Sequence, residues 1–388
     1  MFPQKRRLGL TSFHALLCSL SLSGLWSLSL RGLGGIPWVD LASETSRRSI
    51  VDKEDGQYLG HPTTLLLEDG HTVLCVYPKG HGKGAIQLKR STDGGLTWSQ
   101  RQPVPENWST SLETPTIHRV IDARGRRRLI VWSGLWPARL SVSEDDGITW
   151  SPLQAAGDWG GIVVMGSVEP VRNKPGHYLA WFHDDGRYIS RDARPTNPPI
   201  FKLYQTRSED GGLTWSRPRP LWSGSEIHLC EPGAVRSPDG RTLALLLREN
   251  RRRKNSHIMV STDEGATWSE PRELPASLTG DRHTAKYAKD GRLVVSFRDT
   301  AKGSPTAGDW IVWVGRFQDL LDGGEGRCRI RLGDNHHAWD CAYPGVEVLP
   351  DGTVLATTYG HWDAGKPPYI VAVRFTLEEI DRRLPTKP

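Results

Sequence analysis

The sequence predicts an all-β chain folded as a six-bladed β-propeller of four-stranded antiparallel blades. Three observations predict it. The octapeptide Ser-x-Asp-x-Gly-x-Thr-Trp begins at Ser91, Ser143, Ser208 and Ser261, so its starts lie 52, 65 and 53 residues apart, the length of one four-stranded blade. An Asp-Gly pair between two apolar, β-rich runs recurs at Asp69, Asp239, Asp290 and Asp351 and reads as a hairpin turn. The two markers keep a fixed phase: 22 residues separate Asp69 from Ser91, and 22 again separate Asp239 from Ser261.

Composition agrees. The chain has 388 residues, 37% hydrophobic and 24% charged, with 41 Gly, 27 Pro and 16 Trp. That supplies a core, and it carries too much turn chemistry for a helical bundle; disorder and collagen are excluded. The net charge of +6 is scattered apart from short clusters such as Arg126 to Arg128 and Arg251 to Lys254. It mildly favours an anionic ligand, whereas no aromatic-rich basic stripe points to nucleic acid.

Taken from the N-terminus, Lys5, Arg6 and Arg7 precede an apolar, Ser-rich stretch from Leu8 to Leu30 without an acidic residue. Residues 1–35 therefore read as an export signal, with an uncleaved membrane anchor as the alternative, and an exported protein is expected. The propeller is expected over residues 50–380, with blades beginning near residues 58, 110, 164, 227, 279 and 340. The final strand falls around Tyr369 to Phe375, followed by a short helical turn from Leu377 to Arg383. In the octapeptides Asp bonds nearby backbone, Gly supplies positive φ and Trp packs under the turn, so these Asp boxes are structural rather than catalytic. Four cysteines, Cys75, Cys230, Cys328 and Cys341, lie beyond the signal. Export would permit their oxidation, but four cysteines allow three pairings and the sequence selects none.

The blade phase also points to a site. The first strand of every blade lines the axis, so equivalent first-strand positions converge on one funnel. Eight residues before the turn Asp stand His61, Glu231, Arg282 and Tyr343, and the same X-Pro frame adds Thr114 and Glu169. Counting forward to the ends of the second strands gives Tyr77, Arg248, Arg298 and Tyr359. An isolated strand-end Arg is usually solvated or salt-bridged, and an isolated Tyr before Pro usually packs; their shared register makes a ligand site of them.

Six blades, repeated Asp boxes and the ordered series Glu231, Arg248, Arg298, Tyr343 resemble the sialidase (neuraminidase) superfamily over about 320 residues. The resemblance implies that Arg248 and Arg298 clamp a substrate carboxylate, a planar group suited to bidentate guanidinium recognition. It implies that Tyr343 is the nucleophile and Glu231 its base. Sialidases are an exception to the carboxylate pair of other glycosidases, and a neutral phenol avoids repulsion by the carboxylate on the anomeric carbon. Where the family opens blade one with Arg-Ile-Pro this chain has Gly60-His61-Pro62, and the loop that carries the general-acid Asp is here Tyr77 to Gly84, without a carboxylate. His61 is thus a candidate for acid, base or binding work. His81, Asp184 or Asp185 stand in as acids, and Arg282 as the missing positive charge.

The expected function is that of an exo-α-sialidase-like glycoside hydrolase releasing terminal sialic acid, or a related acidic sugar, from glycans, with no metal or organic cofactor. The alternatives are a non-catalytic glycan-binding propeller and a hydrolase or lyase acting on another acidic polysaccharide, with His61 and Tyr343 as base and acid. His336, His337 and Asp340 fall in a loop before Tyr343; Asp340 reads as a rim residue supporting substrate binding, as does His81, rather than as a metal ligand. Gly80, Gly82 and Gly84 lack the following helix that a phosphate loop needs.

Overall fold

The computed structural model describes residues 35–134, 136–187, 189 and 197–385. The segment read as an export signal lies outside the described residues, apart from Gly35.

Six β-sheets follow one another along the chain as six blades. Blade 1 comprises Thr63–Leu66, Val73–Pro78 and Ile86–Ser91. Blade 2 comprises Thr116–Ile121, Arg127–Ser133, Arg139–Ser143 and Gln154–Ala155. In blade 3 the strands are Met165–Pro170, Tyr178–Asp184, Phe201–Ser208 and Arg219–Gly224, and in blade 4 Leu229–Arg236, Leu243–Glu249, His257–Ser261 and Arg272–Glu273. Blade 5 is built from Gly280–Tyr287, Leu293–Asp299, Trp310–Gly315 and Cys328–Gly333, and blade 6 opens with Gly345–Val348, Val354–Gly360 and Tyr369–Phe375.

This is the all-β, six-bladed propeller that the repeat phase predicts, with two variations on the four-stranded blade. Blade 1 has three described strands, and blade 5 gains a fifth at its outer edge, Trp38–Asp40, parallel to Cys328–Gly333. Blade 6 takes its outer strand, Arg48–Asp52, from the N-terminal side of the chain, antiparallel to Tyr369–Phe375. That strand closes the ring.

The second strands are buried from end to end in blades 1, 3, 5 and 6. Both of their faces are covered by neighbouring blades, so they read as unbroken apolar runs rather than alternating ones. Alternation reappears in where the side chains go. Tyr178, Ala180 and Phe182 join the cluster between blades 2 and 3, whereas Leu179 and Trp181 join the one between blades 3 and 4. Six such apolar clusters fill the six interfaces between blades.

The turns behave as their chemistry requires. Asp69 Oδ1 accepts the N–H groups of His71 and Thr72 at 3.0 and 2.8 Å, and Gly70 beside it sits at φ 76°, a conformation that costs Gly little. In the first Asp box, Ser91 Oγ accepts Gly95 N–H at 2.8 Å and Asp93 Oδ1 accepts Thr97 N–H at 2.9 Å. The same bonds recur at Asp145, Asp210 and Asp263. The predicted C-terminal helix spans Leu377–Arg383 and is capped by Thr376, whose Oγ1 accepts Glu379 N–H at 3.2 Å. All four described cysteines are free thiols and buried.

Candidate active site

His61, Glu231 and Arg282 share one backbone oddity: each is a non-glycine residue in the left-handed region, at φ 55°, 52° and 53°. In blades 4 and 5 the strand pairing slips at this point, between Cys230 and Gly233 and between Asp281 and Thr284. Such a bulge re-aims a side chain at the end of a strand, and strained backbone of this kind clusters at functional sites. In blade 6 the left-handed residue is Ala342, at φ 55°, so Tyr343 stands one residue past the register in which it was counted.

Glu169 does not belong to this ring. It lies at the far end of Met165–Pro170, paired with Leu179, and with His118, Lys286 and Glu347 it lines an axial cavity of about 270 Å³. Blade 3 turns on Asn173, at φ 60°, rather than on Asp-Gly. Counted from Asn173, its ring position is Met165.

At the centre, the Tyr343 hydroxyl donates to Glu231 Oε1. Nη1 of Arg248 donates to the same oxygen at 2.8 Å and to the Tyr343 hydroxyl at 3.1 Å, while its Nη2 donates to Asn250 at 2.6 Å. Glu231 is 5% exposed, and its Oε2 has no hydrogen-bond partner among the described residues. Burial works to raise the Glu231 pKa, but the Arg248 charge and the Tyr343 hydrogen bond hold it below the usual carboxylate value. Burial and the Glu231 charge push the Tyr343 phenol well above its ordinary pKa. The resting pair is therefore a neutral phenol against a carboxylate, the states a phenol nucleophile and its base need. The Glu231 N–H donates to His183 Nδ1 at 3.3 Å, which fixes the backbone at the strained residue.

Asp281, unsuspected from the sequence, organises the arginines. It is fully buried, and Arg298 Nε donates to its Oδ2 at 2.9 Å. Arg252 Nη2 donates to the same oxygen at 2.7 Å, and Arg248 Nε lies 3.2 Å from Oδ1. Burial opposes its ionisation, but the charges of Arg248, Arg298 and Arg252 keep it well below the ordinary carboxylate value. Arg298 also donates to the carbonyls of Trp339 and Cys341. Arg252, from the basic cluster Arg251 to Lys254, reaches Asp281 from a left-handed backbone at φ 58°. Arg282 does not join this group: its Nη2 donates to the Met165 carbonyl at 3.3 Å, and its buried Nη1 has no hydrogen-bond partner among the described residues.

His61 lies 3% exposed on the opposite side. Its ring centroid is 4.4 Å from that of Tyr343 and 4.7 Å from those of Tyr359 and His81. Nδ1 accepts the Gly82 N–H at 3.1 Å, so the proton sits on Nε2, which faces the Tyr359 hydroxyl at 3.3 Å. Burial lowers the His61 pKa well below its ordinary value, keeping the ring neutral. The Tyr359 and Tyr58 hydroxyls donate to Asp340 Oδ1 at 3.1 and 2.8 Å, and His361 Nε2 approaches Oδ2 at 3.0 Å. His81 Nδ1 is 2.7 Å from the Tyr58 hydroxyl and 3.5 Å from Asp340. Asp340 is thus a buried hub at the rim, held ionised against its burial by these hydrogen bonds. Asp184 and Asp185 are engaged elsewhere, the first with Gly186 N–H at 3.0 Å and the second with Arg187 at 2.6 Å.

Another carboxyl escaped the sequence reading. Glu113 immediately precedes Thr114, the ring position of blade 2, as Asp281 immediately precedes Arg282. One residue earlier in the same frame was the signal for both.

Fold, Asp boxes and the funnel define a propeller of the sialidase type. The family model described as a BNR repeat-like domain matches residues 39–354. The chain belongs to this BNR repeat-like family, within the sialidase superfamily. It is 24% identical over 309 residues to a sialidase of Micromonospora viridifaciens, a match that covers 70% of this chain and 44% of that protein; the chain thus spans less than half the length of this curated relative. Among solved structures it resembles a Dyadobacter fermentans protein of unknown function, with a TM-score of 0.66 at 14% identity, covering 84% of this chain and 97% of the other. It also resembles the intramolecular trans-sialidase of Ruminococcus gnavus, with a TM-score of 0.55 at 15% identity, covering 85% and 96%.

Proposed function

We propose that this protein is an exo-α-sialidase that releases terminal sialic acid, or a related acidic sugar, from sialylated glycans, and that it acts after export through its N-terminal segment. The observation that carries the reading is the Tyr343 hydroxyl donating to Glu231 beside Arg248. Tyr343 attacks the anomeric carbon while Glu231 takes its proton. Arg248 offsets the charge that develops on the pair and, with Arg298, binds the sugar carboxylate. His61, neutral and packed on Tyr343, shapes the wall of the site, and Asp340 and His81 contact substrate at the rim. The mechanism uses side chains alone.

The test is hydrolysis of sialyllactose by the purified protein beside Tyr343→Phe. The phenol deletion abolishes release of free sialic acid and leaves sugar binding within a few-fold. Release at an unchanged rate by the variant sinks the nucleophile assignment. A second reading, a hydrolase or lyase on another acidic polysaccharide, is favoured by His61, a buried neutral imidazole 4.4 Å from Tyr343; it predicts cleavage of uronate-containing polymers and none of sialyllactose.

A further inference from the structure

We propose that Glu113 is the general acid/base of this site, delivering a proton to the leaving glycosidic oxygen in place of the carboxylate absent from the loop Tyr77 to Gly84. The assignment rests on the sialidase reading above.

The position of Glu113 is built, not incidental. The loop ahead of it is tied to the His81 loop by the Gly84 N–H donating to the Ser111 carbonyl at 3.3 Å. Ser111 Oγ in turn donates to the Glu113 carbonyl at 3.1 Å. The side chain rests on Gly82, where an added Cβ would come within 2.7 Å of Oε1, and Gly82 is the residue whose N–H holds His61 against Tyr343. Glu113 therefore shares its support with the wall of the funnel.

Its two oxygens differ in the way an acid requires. Oε1 accepts the Thr114 N–H at 3.0 Å and lies 3.2 Å from the Thr114 hydroxyl. No described residue donates to Oε2, which is left to carry the proton. Burial raises the Glu113 pKa to about 7 against the pull of the Thr114 hydrogen bonds. The charges facing it are those of His81, which lowers the value, and Glu231, which raises it; His61 across Gly82 is neutral. A carboxyl poised near the working pH is the efficient one for proton transfer. Protonated, it also spares the substrate carboxylate the repulsion that an ionised carboxylate would impose.

The steps balance. In the first, the Tyr343 oxygen bonds to the anomeric carbon as the bond from that carbon to the leaving oxygen breaks; Glu231 takes the phenol proton and Glu113 gives its own to the leaving oxygen. In the second, Glu113, now a carboxylate, takes a proton from water. The water oxygen bonds to the anomeric carbon, the bond to Tyr343 breaks, and Glu231 returns its proton to the phenol.

The experiment compares kcat/KM of the whole protein, Glu113→Gln and His81→Gln on sialyllactose and on an aryl sialoside whose leaving group needs no protonation. In Glu113→Gln the rate on sialyllactose falls by about 10²–10⁴-fold, while that on the aryl sialoside stays within a few-fold, which also shows that the variant is folded. The alkaline limb of the sialyllactose profile, near pH 7 in the unaltered protein, disappears. An equal loss on both substrates, no loss on either, or the same leaving-group dependence in His81→Gln instead of Glu113→Gln overturns the assignment. If the unaltered protein cleaves neither substrate, the sialidase reading fails and takes this one with it, an outcome separate from all three.

Discussion

Replacing Asp281 by Asn tests whether one buried carboxylate holds the site's arginines. The substitution keeps the shape and removes the charge. Arg248 and Arg298 are then largely buried cations without their counter-ion, since Arg298 is 5% exposed and the Arg248 side chain 16%. Arg252, whose side chain is 38% exposed, can turn to water, so its pairing contributes little. Breaking a buried ion pair from one side costs about 3–5 kcal/mol. With about 2–4 °C lost per kcal/mol in a domain of 150–250 residues, and less in a larger one, the expected fall in Tm is on the order of 5–10 °C. The pH dependence sharpens the test. Asp281 has a folded pKa held below its unfolded one, so its stabilisation is complete above the unfolded value, about 3.9, and fades as pH falls through the folded value. Calorimetry of the two proteins should therefore show a constant gap between pH 8 and pH 5 that narrows only below about pH 4. A gap under 2 °C at pH 7, or one that closes already near pH 6, refutes the argument.

Further outcomes are expected. The Asp210→Ala variant loses the bonds from Thr214 and Ser208 in a largely exposed turn, which lowers stability by about 1 kcal/mol in urea titration and leaves turnover unchanged; lost turnover in the folded variant refutes a purely structural box. Nitrogen NMR of the His61 ring should show a neutral imidazole with its proton on Nε2 throughout pH 5.5 to 8, and titration near 6.5 contradicts its burial. Burial also raises the Cys328 thiol to about 12, and Cys75, Cys230 and Cys341 are raised as well. A thiol reagent should accordingly label none of the four in the native protein and all of them in denaturant. Partial labelling in denaturant, restored by a reductant, reveals a disulfide instead.

The fold was legible wherever a turn carried its own chemistry. Asp-Gly pairs and Asp boxes force hairpins by local hydrogen bonds, so their phase located the blades without any knowledge of tertiary contacts. The same phase found His61, Glu231 and Arg282, because the left-handed kink recurs at a set distance from the turn. It failed on Glu169, where blade 3 turns on Asn173 and there was no Asp-Gly from which to count. It could not reveal Asp281 as the partner of Arg248, Arg298 and Arg252, since that convergence joins residues from two blades and a loop and leaves no local pattern. Nor did it mark Arg48–Asp52, a strand whose only reason to be one is the edge of Tyr369–Phe375.

That closing strand makes the ring a late event. The edge of blade 6 stays open until residues more than 300 positions apart meet, so five blades can stack during synthesis while the sixth waits. The Tyr343 end of the funnel belongs to that last blade, and its partners Glu231 and Arg248 to the fourth. Tyr343 therefore reaches Glu231 and Arg248 only when the circle is nearly complete, and the unfinished chain carries that carboxylate and its arginines without the phenol that they face. A circular permutant joined through the closing strand and opened at the exposed turn of Gly125 would form that edge first, and would reverse the order in which the ring and the site come into being.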